Sequence, residues 1–186
     1  MGLFSRLGRA LARRVAYARY FLFARRDSRR NLSAISGRNI LVLCYGNIYR
    51  SPFVGRQLAD FFAGTEWHVR SAGFHDKENR FCDREFVKLA AKLGIDLQAH
   101  GSRQVAEEDL EWADLIVIMD GRNRLMLHEM STQVGGKVVW IGAWLAGLRA
   151  DVVDPYGMSQ DRIESTVTRL FQSTNALAQE LLSVPP

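Results

Sequence analysis

Eight consecutive residues, Cys44-Tyr45-Gly46-Asn47-Ile48-Tyr49-Arg50-Ser51, hold the densest chemistry in this 186-residue chain. They follow a short apolar run, Asn39–Cys44 (NILVLC), suited to a buried parallel strand. They precede Pro52, a residue at home in the first turn of a helix. A strand–loop–helix passage of this kind turns successive backbone N–H groups inward and forms an anion cradle. The helix N-terminus adds positive potential at the same point. A thiol in that field is expected to ionise more readily than a free thiol, whose pKa is about 8.5. Arg50 offers a planar fork for two oxygens of a tetrahedral anion. Gly46 and Asn47 tolerate the positive φ that tight wrapping demands. Ser51 has a hydroxyl to donate to a thiolate. These features converge on a Cys44 thiolate attacking a phosphorus held by backbone amides and Arg50, through a phosphocysteine.

Such an attack needs a general acid for the leaving oxygen. Asp154, in Val153-Asp154-Pro155-Tyr156-Gly157, is the candidate. Pro155 stiffens the loop and biases Asp154 towards an extended conformation. Tyr156 has a ring to stack on an aryl leaving group. Asp154 would then return as the base that activates water. Each piece also has a plainer reading: a lone cysteine at a strand end is usually a buried hydrophobe, and Asp-Pro is a common turn. Occurring together, they favour catalysis. The predicted catalytic set is Cys44, Arg50 and Asp154. The predicted substrate-binding set is Tyr45, Gly46, Asn47, Ile48, Tyr49, Ser51 and Tyr156.

The elements that must position these groups follow from periodicity. Further strands are expected at Trp67–Ser71, Asp114–Met119 and Lys137–Ile141. Helices are expected over Pro52–Ala63, Asp83–Leu93 (stopped by Gly94), Arg122–Met130 (capped by Asp120) and Ser159–Leu182. Alternating strands and helices imply an α/β three-layer sandwich, a four-stranded parallel sheet with helices on both faces. Right-handed crossovers place the Cys44–Ser51 loop at the carboxyl edge of the sheet, where ligands of such sheets bind. Length and a 47% apolar, 24% charged composition fit one globular domain. Two cysteines, Cys44 and Cys82, exclude a disulfide-dense scaffold and a multi-cysteine zinc module. His68, His75, His100 and His128 show no ligand spacing, so neither metal nor organic cofactor is expected. The acidic run Glu107–Asp109, with Glu111, reads as a solvated helix face.

Residues 1–38 contain ten arginines and one aspartate, a local charge of +9, whereas the remainder carries −4. The pI of 9.6 therefore belongs to the tail, and no nucleic-acid partner is expected. Leu3, Leu7, Leu11, Val15, Ala18 and Leu22 recur at helical spacing among arginines. This reads as a basic amphipathic helix over residues 3–26, with a polar linker over 27–38, preceding a domain at 39–186. The helix suits an acidic membrane surface, self-association or packing on its own domain; an Arg-rich transit peptide is the third reading. Arginines interrupt every stretch that could form the apolar core of a secretory signal, and no uncharged run is long enough to span a bilayer.

Residues 39–182 closely resemble the low-molecular-weight protein tyrosine phosphatases. The resemblance rests on Cys44-Tyr45-Gly46-Asn47-Ile48-Tyr49-Arg50-Ser51-Pro52 and on Asp154-Pro155-Tyr156. Ser71-Ala72-Gly73, the stretch from Gly94-Ile95-Asp96 to Arg103-Gln104, and Asp114–Asp120 add to it. It implies Cys44 as nucleophile, Arg50 as phosphate clamp and Asp154 as general acid, with Asn47 bracing the loop and Ser51 stabilising the thiolate. It further implies a phosphotyrosine protein as substrate, a tyrosine kinase among the partners, and a cytoplasmic location, peripheral at the membrane if the basic helix binds lipid. Three positions depart from the family pattern. Tyr49 stands where many members have a second cysteine, Tyr45 where a small or aliphatic residue is usual, and Gly55 where many bacterial members have Glu. Without the second cysteine, peroxide is expected to inactivate the protein less reversibly. The alternatives are an arsenate reductase of the same fold, a phosphoarginine phosphatase and a phosphate-binding interaction module. Thioredoxin-coupled arsenate reduction needs three relaying cysteines, a phosphoarginine enzyme usually has Thr at the position of Ile48, and a bare binding module would not retain Cys44, Arg50 and Asp154 together.

Overall fold

Three apolar runs and one mixed segment become strands: β1 (Asn39–Cys44), β3 (Leu115–Ile118) and β4 (Val138–Trp140) are apolar, and β2 (His68–Gly73) is mixed. All pair in parallel, in the order β2-β1-β3-β4. The computed structural model describes the backbone of residues 3–147 and 149–184, and the side chains of that range from residue 14 onward, Tyr17 excepted. Among these residues six α-helices surround the sheet: α1 (Leu3–Ser33), α2 (Arg50–Phe61), α3 (Arg84–Ala91), α4 (Glu107–Trp112), α5 (Gly121–Met130) and α6 (Gln160–Leu182).

The central strand β1 is buried from Ile40 to Cys44, and its side chains alternate between two cores. Ile40, Val42 and Cys44 enter the core shared with α2, α3 and α6, where Phe53, Leu58, Phe86, Leu170 and Leu177 are fully covered. Leu41 and Leu43 enter the opposite core with Ala24 of α1, Leu110 of α4 and Leu127 of α5. The predicted three-layer α/β sandwich is what forms. Element ends shift by a residue or two. The larger change is that α2 begins at Arg50 rather than Pro52, which puts the arginine in its first turn. The predicted Asp120 cap holds, accepting from Asn123 N, and Asp83 proves to be a cap as well, accepting from Glu85 N and Phe86 N.

The N-terminal segment differs most from expectation. Helix α1 continues through residues 27–33, so the polar stretch read as a linker shrinks to 34–38. Nor does its apolar stripe face the domain: Val15 is 61% and Leu22 75% exposed. Leu3, Leu7 and Leu11 lie outside the described side chains. The face that packs mixes Tyr20, Ala24 and Leu32 with polar Ser28 and Asn31. Ala24 lets the helix approach the sheet, Ser28 Oγ accepts from Trp140 N (2.9 Å), and Asn31 Nδ2 donates to Val138 O (2.8 Å) and Gly135 O (2.9 Å). Arg25 Nη1 adds a bond to Ala143 O (2.6 Å). The reason is that β4 is an edge strand, whose unpaired backbone groups need partners. Hydroxyl and amide side chains supply them where leucine could not.

A second correction concerns Asp109. It is not part of a solvated face but buried, gripped by Arg103 Nη1 (2.7 Å) and Nη2 (2.9 Å) and by Ala106 N (3.1 Å). Burial alone would raise its pKa; the guanidinium fork and the amide outweigh burial and hold it below the ordinary carboxylate range. Glu107, Glu108 and Glu111 are exposed as expected.

Candidate active site

Cys44 ends β1 at the carboxyl edge of the sheet, in register with Gly73 of β2. From there residues 45–49 wrap back to the start of α2. Two donors converge on the sulfur: Asn47 N at 3.2 Å and Ser51 Oγ at 3.0 Å. The sulfur is buried on its flanks yet forms part of a cavity wall, so it is neither sealed in hydrocarbon nor placed at the surface.

The wrap requires Asn47 at φ +49°, the left-handed region that costs most non-glycine residues energy. Four partners hold it there. Its Nδ2 donates to Ser51 Oγ (2.9 Å) and Ser71 Oγ (3.2 Å), its Oδ1 accepts from Arg103 N (3.0 Å), and its carbonyl faces His100 Nε2 at 2.8 Å. A carbonyl only accepts, so Nε2 of His100 carries the proton. Burial pushes the His100 pKa down, against the opposing pull of that hydrogen bond. Gly46 does not need positive φ, contrary to expectation. It supplies room instead: a Cβ there would lie 3.3 Å from Ile48, and its carbonyl accepts from Arg80 Nη2 at 2.6 Å. Gly73 has the same role beneath the loop, where a Cβ would come within 2.8 Å of both Asn47 N and Tyr45 O. Gly55 likewise brings α2 close to β2, since a Cβ would meet Ser71 Cβ at 3.1 Å.

Arg50 is the largest fully buried side chain, at 1% exposure. Its Nη1 donates to Asp120 Oδ2 (2.5 Å) and Val152 O (3.0 Å), and its Nη2 to Asp154 Oδ2 (2.7 Å). Burial opposes its charge, but the facing groups of Cys44, Asp120 and Asp154 more than compensate, and its pKa lies above the ordinary value. Nε–H alone is buried without a partner. That donor shares the side-on edge of the guanidinium with Nη2, the edge used for bidentate oxyanion binding. Asp154 is partly exposed, and its Oδ1 accepts from Tyr156 N (3.4 Å).

These groups open into one cavity of about 380 Å³ with Cys44 in its lining. Ile48, Tyr49 and Tyr156 give it apolar surface, and Tyr45, His75, Arg80 and Arg122 give it aromatic and cationic surface. The Tyr49 ring meets Phe86 edge-on at 5.1 Å and Tyr156 at 6.4 Å. Burial, then the nearby Asp83 carboxylate, pushes the Tyr49 phenol up to about 12. Cys82 is buried in the β1–α2–α6 core, and burial drives its thiol up to about 12. No group of three or more His, Cys, Asp or Glu side chains suited to a metal ion occurs among the described residues.

The structure thus brings together every residue picked out from the two motifs. It adds six that pattern reading did not place there: Asp120, His75, His100, Ser71, Arg80 and Arg122. Asp120 was assigned only as a helix cap, yet its position at the carboxyl end of β3 was a usable signal. Ser71 and His100 lie in stretches that carry the resemblance without a role assigned to them, and His75, Arg80 and Arg122 come from a loop and a helix turn that carry no motif. Trp144, ahead of the Asp154 loop, packs between α1 and the end of α6.

Comparison with known proteins agrees with this arrangement. Residues 39–183 match the family described as low molecular weight phosphotyrosine protein phosphatase. The phosphatase Etp of Escherichia coli K12 is 31% identical over 150 residues, covering 81% of this chain and 99% of its own. The phosphatase Wzb of the same strain is 34% identical over 143 residues, covering 77% and 95%. The solved structure of Wzb from Escherichia coli K30 with sulphate superposes with a TM-score of 0.72 at 27% identity, covering 78% of this chain and 99% of its own. The arginine phosphatase YwlE from Geobacillus stearothermophilus superposes with a TM-score of 0.70 at 26% identity, covering 78% and 94%. The chain belongs to the low molecular weight protein tyrosine phosphatase family. It is a phosphoric monoester hydrolase that acts on phosphotyrosine through a cysteine.

Proposed function

We propose that Cys44, Arg50 and Asp154 carry the reaction, with Tyr45, Gly46, Asn47, Ile48, Tyr49, Ser51 and Tyr156 forming the substrate pocket. The observation that supports this is the donor edge of Arg50: its Nε is buried without a partner beside Nη2, on a guanidinium whose other bonds run to Asp120, Val152 and Asp154. Two phosphoryl oxygens fit that edge, and the remaining charge rests on the loop amides. Their arrival competes with Asp154 for Nη2 and turns the carboxyl towards the leaving oxygen. The Cys44 thiolate then forms the S–P bond as the P–O bond to the aryl group breaks, and protonated Asp154 gives its proton to that oxygen. In the second step Asp154 takes a proton from water, the water oxygen attacks phosphorus, and the S–P bond breaks to release phosphate and the thiolate.

Ile48, Tyr49 and Tyr156 suit a flat aryl group, which favours phosphotyrosine over phosphoarginine. The test is one comparison of phosphotyrosine, phosphoserine and phosphoarginine peptides with arsenate. Turnover of phosphotyrosine alone supports the reading. Faster turnover of phosphoarginine, or reduction of arsenate, overturns it.

We read residues 39–186 as the phosphatase domain and residues 1–38 as its basic appendage. Among phosphotyrosine proteins, a tyrosine kinase is the partner that the family resemblance implies, in the cytoplasm. The outward face of α1 supports attachment to an acidic bilayer, because exposed Val15 and Leu22 alternate there with exposed Arg19, Arg26 and Arg29. No described helix is long and apolar enough to cross a membrane. Co-sedimentation with anionic vesicles, lost at high salt and absent with neutral vesicles, is the expected result. Concentration-dependent dimers without vesicle binding would show self-association instead and overturn the membrane reading.

A further inference from the structure

The first turn of α5 reaches the active site twice. Asp120, its N-cap, holds Arg50 at the floor. Arg122 lies at the mouth, where its guanidinium stacks 4.1 Å from the centroid of the Tyr45 ring. His75 meets the same ring edge-on at 5.5 Å, so Tyr45 is held in place from two directions. Stacking occupies the face of a guanidinium and leaves the N–H donors at its rim free. Arg80 stands nearby, fixed by bonds to Gly46 O (2.6 Å) and Lys77 O (3.1 Å).

The charges at the floor and at the mouth are balanced differently. At the floor, Asp120 and Asp154 both answer Arg50. At the mouth, no described carboxylate lies within ion-pair distance of Arg80 or Arg122; Asp76, which faces His75, is well exposed. A phosphotyrosine inserted as far as Cys44 leaves its own backbone at the mouth. The side chains next to it then lie against Tyr45 and Arg122. The geometry points to Arg122, seated on Tyr45, as a reader of acidic residues flanking the phosphotyrosine. This inference rests on the phosphotyrosine reading of the same pocket. Arg80 adds positive potential to the same rim, but its direct grip on Gly46 makes it a poor probe.

The experiment uses the full chain, p-nitrophenyl phosphate and three phosphotyrosine peptides flanked by Glu, by Ala or by Lys. The unaltered protein is expected to show kcat/KM falling in the order Glu, Ala, Lys, about threefold per step, mostly in KM, with the spread collapsing at high salt. Arg122→Gln should flatten the series, and Arg122→Glu should reverse it. The reversal is a readout that loss of Tyr45 packing alone would not produce. Glu in a first helical turn is itself favourable, so this variant should fold. Equal rates on all three peptides, or an unchanged series in Arg122→Glu, would overturn the inference while leaving the phosphatase reading intact. No turnover of any phosphate ester would overturn both.

Discussion

The loop at Cys44–Ser51 and the helix α1 sit at opposite extremes of constraint. Asn47 alone is held by groups from α2, β2 and the α3–α4 loop, and Arg50 by three more. Helix α1 is fastened to the β4 edge through Ser28 and Asn31, sets Tyr20 against His128 of α5 and buries Ala24 and Leu32, while its described outer face carries exposed valine and leucine among arginines. The first region is built so that one sulfur and one guanidinium cannot move. The second is built so that one face is anchored and the other is left for a partner. Catalysis needs the former, because a misplacement of about 1 Å can cost about a hundredfold in rate. Docking needs only a surface.

Substitutions should separate the two regions sharply. Cys44→Ser should lower kcat on any aryl phosphate by roughly four orders of magnitude or more, with thermal stability nearly unchanged. Residual turnover within tenfold of the unaltered protein would remove Cys44 from its role. Asp154→Asn should cost about a hundred- to a thousandfold on esters with poor leaving groups and far less on p-nitrophenyl phosphate. An equal loss on both would mean that Asp154 is not the acid. In α1, Ser28→Ala should leave Trp140 N without its partner and destabilise the fold by about 1–3 kcal/mol, while kcat/KM on p-nitrophenyl phosphate stays constant. A parallel loss of activity would show that the edge and the site are coupled.

Two smaller effects sharpen the contrast. His100 is held neutral in the folded state, with its pKa below the unfolded value of about 6.5. As pH falls through that value the unfolded chain takes up the proton first, so stability should decline below about pH 6.5. His100→Gln should flatten this part of the stability profile, and an unchanged profile would rule out His100 as its source. Cys82, at about 12, offers almost no thiolate at neutral pH and should not resolve an oxidised Cys44. Recovery by thiol reductant after peroxide should then be equally incomplete in Cys82→Ser and in the unaltered protein. Full recovery would contradict the consequence drawn from Tyr49.

Cys44, Arg50 and Asp154 could be singled out before any fold was known, because the groups that give the loop its chemistry are neighbours along the chain. A strand, a turn and a helix start within nine residues are set largely by local preference. So were β1, β3 and β4, whose continuous apolar runs leave little choice but burial. What completes the site arrives from elsewhere: Asp120 lies 70 residues from Arg50, and His100 lies 53 from Asn47. Neither distance leaves a periodic trace. For α1 the sequence pattern marked an apolar stripe but not the face that docks, because hydrophobic spacing says which side is apolar and not what a neighbouring surface lacks. The open edge of β4 lacked hydrogen-bond partners, and only the assembled sheet could show that Ser28 and Asn31 were there to supply them.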